Sequence, residues 1–340
     1  MAAAPRKIAI ALAALAVAAI AAEAGLRRFH PIGFRSPEKP PLRGDPAWGK
    51  LLHRPASLPG LVYELAPDFQ GESQGMTIRT NSRGMRGPEP LPAGTPNLMR
   101  IAVLGDSFAF GFGLDEEHTF PRLLQNDLQA SELGEDRAVD VLDLGVSGYS
   151  TRDEVLALKK YLDLRPDLVL VAYCLNDPEC EPTQQLPRFF TEPEWWQHSH
   201  VLRAVARKLR AREMARSGGV YTRFLHEPSG WRWRSVCDAF AGLRELAREH
   251  DFQVAVVIFP MTEIVPWEHY RYRGVHEQVS REAERNGFPV LDLLDAYSEH
   301  DPAALVLSPT DRHPNVLGHQ VAAEAIAAFL RQHPELLPER

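Results

Sequence analysis

The chain has 340 residues, 44% of them hydrophobic, and a formal net charge of -7. That length holds one large α/β domain plus appendages, or two small domains, with enough apolar residues for a sizeable core. The mild acidity speaks against a broad nucleic-acid footprint, and three cysteines (Cys174, Cys180, Cys237) are too few for a disulfide scaffold.

At the N-terminus Arg6 and Lys7 precede an apolar run from Ile8 to Ala22. The run is short for a spanning helix, which needs about 20 residues. It suits the apolar core of a signal peptide, with a small-x-small cleavage site at Ala22-Glu23-Ala24. If Glu23–Leu26 join the helix, it becomes a short membrane anchor, and Arg27 and Arg28 at its far end blur the positive-inside reading. Residues 1–28 are therefore read as a signal peptide or membrane anchor, anchoring preferred, with the bulk of the chain exported to the periplasmic side. Residues 29–98 read as an extended Pro-rich linker and a small β-appendage. Within the appendage, Met76–Pro90 holds a short strand and then a turn at Asn81–Gly84.

From about Met99 the pattern changes. Strands are expected at Arg100–Leu104, Val139–Leu144, Leu168–Ala172, Phe252–Phe259 and Pro289–Leu293. They are nearly continuous in Val, Ile and Leu, as strands buried on both faces of a parallel sheet are. Helical patterns lie between them at His118–Ser131, Thr151–Leu164, Trp231–His250 and Trp267–Asn286, and a last helix follows Asn315. Such alternation predicts an α/β fold, a three-layer α/β/α sandwich around a mostly parallel, doubly wound sheet spanning residues 99–335. Residues 181–230, rich in Trp, Tyr and Phe, read as an insertion: a lid, a substrate wall or a helical pair packed by its aromatics. The basic stretch Arg203–Arg216 reads as a helix with a solvated face.

In open sheets of this kind ligands bind beyond the carboxyl ends of the strands. The loops expected there hold Gly105-Asp106-Ser107, "DLGVSGYS" (143–150) and "CLNDPE" (174–179). A fourth segment, "SPTDRHPNVLGH" (308–319), precedes the last helix. Together they supply a serine, a glycine backbone, an asparagine amide, and an aspartate beside a histidine. That is a full set for acyl transfer.

These blocks resemble the SGNH (GDSL-type) hydrolases. Gly105-Asp106-Ser107 matches the first block, Gly145 the glycine block, Asn176-Asp177 the asparagine block, and Asp311 with His313 the last. The upstream "TNSRGMRGPEP" looks like the lead-in of a bacterial subgroup with an N-terminal membrane segment. The resemblance implies a flavodoxin-like fold, with Ser107 as nucleophile, His313 as base and Asp311 as its orienting acid. The N–H groups of Ser107 and Gly145 and the Asn176 amide would form the oxyanion hole. Two departures stand out. Cys174 occupies the position usually held by glycine before x-Asn-Asp. Asp311-Arg312-His313 is one residue shorter than the usual Asp-x-x-His, so that Asp311 orients the ring only if the loop turns sharply.

Other motifs lead elsewhere. Gly145–Tyr149 is not a nucleophile elbow, because Tyr149 stands where glycine is needed. Gly105–Gly113 lacks the ending of a phosphate loop. No metal and no cofactor are expected. The implied activity is hydrolysis of carboxylic esters, including O-acyl groups of extracytoplasmic glycans or lipids. The alternatives are acyl transfer to a cell-envelope glycan and a non-catalytic binding module.

Overall fold

The computed structural model describes residues 3–29, 52–73, 76–179, 195–216 and 220–338. The Pro-rich linker at 31–46 and the start of the expected insertion, 180–194, lie outside the described residues. The chain divides into two compact units: Met1–Pro41 with Thr191–Phe224, and Leu42–Phe190 with Leu225–Arg340.

Helix α1 is Ala3–Phe29, alanine-rich and therefore strong in intrinsic helix preference. Its Ile10–Phe29 stretch is long and apolar enough to cross a membrane, and none of it is buried. Next come two small antiparallel hairpins, β1 (His53–Pro55) with β2 (Tyr63–Leu65) and β3 (Gln70–Ser73) with β4 (Met76–Arg79). The alternating elements follow: β5 (Leu98–Gly105), α2 (Ser107–Phe110), α3 (Phe120–Ala130), β6 (Ala138–Asp143), α4 (Thr151–Leu158) and β7 (Leu168–Tyr173). Helix α5 (His200–Arg216) belongs to the first unit. The second unit resumes with α6 (Trp231–His250), β8 (Gln253–Ile258), α7 (Arg273–Arg285), β9 (Val290–Asp292) and α8 (Leu294–Ser298). It ends with a hairpin of β10 (Val306–Ser308) and β11 (Asp311–Pro314), then α9 (Val316–Gln332).

Five strands form one parallel sheet in the order β6-β5-β7-β8-β9. Alternate residues of β5 face opposite layers. Met99, Ile101 and Val103 pack with Leu124 and Leu128 of α3 and with Ile326 and Leu330 of α9. Helices α4, α6 and α7 lie against the opposite face of the sheet. The fold is thus the doubly wound α/β/α sandwich expected from the alternation.

Two helices stop short of their sequence pattern, each for a local reason. The pattern over Thr151–Leu164 ends at Leu158, and a short 3-10 turn at Leu162–Leu164 leads to Arg165 at φ 51° before Pro166. The pattern over Trp267–Asn286 becomes regular helix only from Arg273. Side-chain bonds to other segments hold its first part: Trp267 Nε1 donates to His300 O at 2.7 Å, and Tyr270 Oη accepts from Met261 N at 3.0 Å.

The β-appendage is welded to the sheet. Leu61, Tyr63, Leu65, Met76 and Ile78 share a buried cluster with Phe110, Val146 and Tyr149. Tyr63 Oη donates to Ser147 O at 2.8 Å, and Tyr149 Oη donates to Tyr63 O at 2.5 Å. The appendage therefore backs the loops that follow β5 and β6.

One charged pair bridges β5 and β6. Arg100 is 2% exposed, and its Nε lies 2.8 Å from Asp140 Oδ2 on the neighbouring strand. Its Nη1 also donates to Leu164 O. Replacing Arg100 by alanine strands a buried carboxylate, which typically costs about 3–5 kcal/mol. Urea unfolding of Arg100→Ala is expected to show that loss. Arg100→Met paired with Asp140→Leu is expected to recover most of it, because the unpaired charge is gone.

Candidate active site

Strand β5 lies between β6 and β7, and the chain winds away from it in both directions. The carboxyl ends of these three strands therefore border the crevice where doubly wound folds bind ligands. Ser107, Gly145 and Asn176 follow the three strands in turn.

Ser107 opens the single-turn helix α2, whose cap is Asp106 rather than the serine. Asp106 Oδ1 accepts the Phe108 N–H at 2.9 Å, and Oδ2 accepts from Asn176 Nδ2 at 2.8 Å. The serine hydroxyl is left to face His313, with Oγ 2.9 Å from Nε2. On the other side of the ring, Nδ1 lies 2.6 Å from Asp311 Oδ1. The histidine holds the Asp311 carboxyl below the usual carboxylate range, so the acid stays ionised at neutral pH. The rings of Phe112 and Phe108 stand 4.6 and 5.6 Å from the imidazole.

The shortened Asp-x-His spacing brings Asp311 to the imidazole without a sharp turn. Asp311 and His313 both lie on β11, and residues two apart on a strand project from the same face. The aspartate thus lies beside the imidazole because the backbone is extended. Thr262, just beyond β8, fixes that strand: its Oγ1 donates to Arg312 O at 2.8 Å, and its carbonyl accepts from Arg312 Nη1 at 3.1 Å. The cap of α9 is Asn315, which accepts the Gly318 N–H. Asp311 therefore plays no part in capping α9.

The three expected oxyanion donors differ in what they now hold. The Ser107 N–H sits at the first position of α2, where no intrahelical acceptor exists. Asn176 spends one amide hydrogen on Asp106 and keeps a second. The Gly145 N–H is taken, donating to Asp143 Oδ1 at 2.8 Å. It can serve an oxyanion only if that bond gives way. What Gly145 does in this state is let β6's loop approach α2, since a Cβ there would lie 2.3 Å from Phe110 N. Asn176→Ala is expected to lower turnover about 100- to 1,000-fold and also to cost some stability, because buried Asp106 Oδ2 loses its amide donor. Steady-state kinetics beside a thermal melt would separate the two.

Two further residues escaped the sequence reading. Arg86, in the lead-in segment, is 2% exposed. Its guanidinium donates to Phe110 O, the last carbonyl of α2, and to Gly111 O and Leu114 O beyond it. Glu154 is buried in the first turn of α4, and neither carboxylate oxygen has a partner among the described residues. Burial, then Asp106, pushes its carboxyl well up; burial, then Glu154, does the same to Asp177. Burial likewise keeps the Cys174 thiol protonated. Asp106, Cys174 and Asp177 bring ligand-type atoms within 4.8 Å of one another. Both oxygens of Asp106 are already engaged as described.

A group whose pKa is raised on folding stabilises fully below its unfolded value, about 4.3 for glutamate, and the benefit is lost as pH rises. Glu154→Gln should therefore flatten the decline of stability above pH about 5, by up to about 1.4 kcal/mol per pH unit. Denaturant titrations at a series of pH values would read this directly. A parallel decline in the variant would assign the slope to other groups.

The sequence model of the GDSL-like lipase/acylhydrolase family matches residues 103–321. No protein of curated function matches the chain. Among solved structures, it is similar to the psychrotrophic esterase EstA from Pseudoalteromonas sp., with 12% identity and a TM-score of 0.44 over 69% of this chain and 98% of that one. Another is Axe2, an acetylxylan esterase from Geobacillus stearothermophilus, with 20% identity and a TM-score of 0.41 over 72% and 96%. A third is a member of the lipolytic G-D-S-L family from Veillonella parvula, with 15% identity and a TM-score of 0.41 over 69% and 99%.

Proposed function

The chain belongs to the GDSL-like lipase/acylhydrolase family, and on that premise we propose that it hydrolyses carboxylic esters through Ser107. The observation that carries this reading is the unbroken path from Ser107 Oγ to His313 Nε2 and from Nδ1 to Asp311. A serine hydroxyl is a poor nucleophile until a base takes its proton. In the proposed first step Oγ bonds to the ester carbonyl carbon and its proton passes to His313 Nε2. The carbonyl oxygen gathers negative charge, and this reading assigns its stabilisation to the Ser107 N–H and the second Asn176 amide hydrogen. Collapse expels the alcohol, which takes the proton from His313. Water then attacks the acyl-serine by the same route, with His313 again accepting and returning a proton. Asp311 keeps Nδ1 protonated and steadies the transient imidazolium.

Export belongs to the same proposal. The α1 helix, long and apolar enough to cross a membrane, anchors the chain with its catalytic unit outside the cytoplasm. O-acyl groups on extracytoplasmic glycans or lipids are the substrates such a location offers. The test is hydrolysis of p-nitrophenyl acetate and butyrate by the full chain. Activity present in the wild type and lost in Ser107→Ala supports the reading, and the ratio of the two rates begins to define the acyl pocket. Equal rates in both proteins would reject it.

A further inference from the structure

Helix α5 is fastened to α1 at its first turn. The Glu23 carboxylate accepts the backbone N–H groups of His200 and Val201, each at 2.9 Å, and the Ser199 hydroxyl at 2.9 Å. Arg27 Nε binds the same carboxylate at 2.7 Å, and Arg27 Nη2 donates to His198 O at 3.2 Å. The first turn of any helix leaves N–H groups without intrahelical acceptors and favours negative charge. Here the cap comes from the far end of the apolar helix, 177 residues away from His200. α5 thus starts where the apolar run of α1 finishes.

Along α5, Val205, Lys208, Leu209 and Arg212 fall at i, i+3, i+4 and i+7, a single stripe. All four are exposed, Val205 at 48% and Leu209 at 57%. Neither Lys208 nor Arg212 meets a carboxylate in an ion pair among the described residues. The helix sequence holds Arg203, Arg207, Lys208, Arg210, Arg212 and Arg216 against one acid, Glu213. The stripe alternates branched apolar side chains with cations. The boundary between headgroups and acyl chains suits it, because Val and Leu can dip below that boundary while Lys and Arg extend up to it.

We propose that α5 lies on the surface of the membrane that α1 enters, with the Val205, Lys208, Leu209 and Arg212 stripe docked on anionic phospholipid headgroups. This rests on α1 being a retained anchor. It also supplies a reason for retention: cleavage after Ala24 would remove Glu23 and take from the His200 and Val201 N–H groups their carboxylate acceptor.

The experiment uses the full-length chain carrying Leu209→Cys in a Cys180→Ser and Cys237→Ser background, with buried Cys174 kept. The thiol is labelled with the environment-sensitive dye NBD. The protein is reconstituted into vesicles of phosphatidylcholine alone, or of phosphatidylcholine with phosphatidylglycerol. Emission is expected to shift to the blue and brighten only with phosphatidylglycerol. It should return on adding 1 M salt, where the screening length falls to about 3 Å. Adding Lys208→Gln and Arg212→Gln should weaken docking about 25-fold, at about fivefold per cation. Emission identical in the two lipids, and unchanged by salt, overturns the proposal and leaves α5 a solvated face. A chain recovered from membranes lacking its first 24 residues overturns the anchoring reading instead. It takes this docking with it, since Glu23 is then absent.

Discussion

Ser107→Ala is expected to lower kcat for p-nitrophenyl acetate by about four to six orders of magnitude, to the residual rate that binding and oxyanion donors alone support. His313→Ala should fall nearly as far. The double variant should fall no further than the worse single one. The reason is that neither group acts alone: the hydroxyl needs a base, and the base has nothing to activate without the hydroxyl. The 2.9 Å contact between them makes them one unit, and residues that act as a unit are grossly non-additive. Stability should hardly change in Ser107→Ala. The side chain is only half buried, and the cap of α2 is Asp106, which the substitution leaves in place. Circular dichroism and a thermal melt would check that point. Burst kinetics under pre-steady-state conditions would check the other, because an acyl-serine predicts a burst in the wild type and none in the variants. If the losses of the two single variants instead multiplied in the double variant, Ser107 and His313 would be acting independently, and the relay would have to be abandoned.

Much of this architecture was legible because it follows from short-range rules. Strands buried on both faces must be apolar throughout, so β5 to β8 announced themselves. Helix α6 was read from Trp231 to His250 and is found there. Long-range bonds were not legible. The irregular start before α7 depends on where Trp267 and Tyr270 find partners, His300 and Met261, and no local pattern encodes that. The site divides the same way. Gly-Asp-Ser after a strand, and a histidine before the last helix, stand out as blocks. Arg86 looked like part of a turn-rich lead-in, and its grip on the carbonyls at and beyond the end of α2 arises only when the appendage packs on β5 and β6. The Gly145 N–H was read as a donor awaiting substrate. It is bound to Asp143, two residues earlier, an Asx-turn contact that aspartate favours and that competes with any longer-range role. The spacing of Asp311 and His313 was misjudged on geometry alone: a loop was assumed where β10 and β11 form a hairpin.

That hairpin decides the second large effect. Asp311→Asn is expected to cost about 10,000-fold in kcat, and more than Asp311→Ala. The order is unusual, since asparagine is the closer mimic in shape. It follows from tautomers. The carboxylate can only accept, so it keeps the proton on Nδ1 and leaves Nε2 free to take the proton of Ser107. An asparagine amide can donate to Nδ1, which moves the ring proton to Nε2 and blocks the base. Alanine imposes no tautomer. Asp311 is also partly open to solvent, with 36% of its side chain exposed, so water can enter the gap and accept from Nδ1. Asp311→Ala should therefore lose less, about 100- to 1,000-fold, within the range general-base assistance supplies. Folding should follow a different pattern. The Asp311 carboxyl is held low by His313, so its stabilising contribution is present above its unfolded pKa, about 3.9, and is lost as pH falls through the lower folded value. Both variants should consequently differ most from the wild type near neutral pH and converge toward it in acid. Comparing kcat for the two variants with their pH-dependent melts separates tautomer control from stability. If Asp311→Asn and Asp311→Ala both kept wild-type turnover, Ser107 and His313 would suffice as a pair, and Asp311 would be no more than a strand residue beside them.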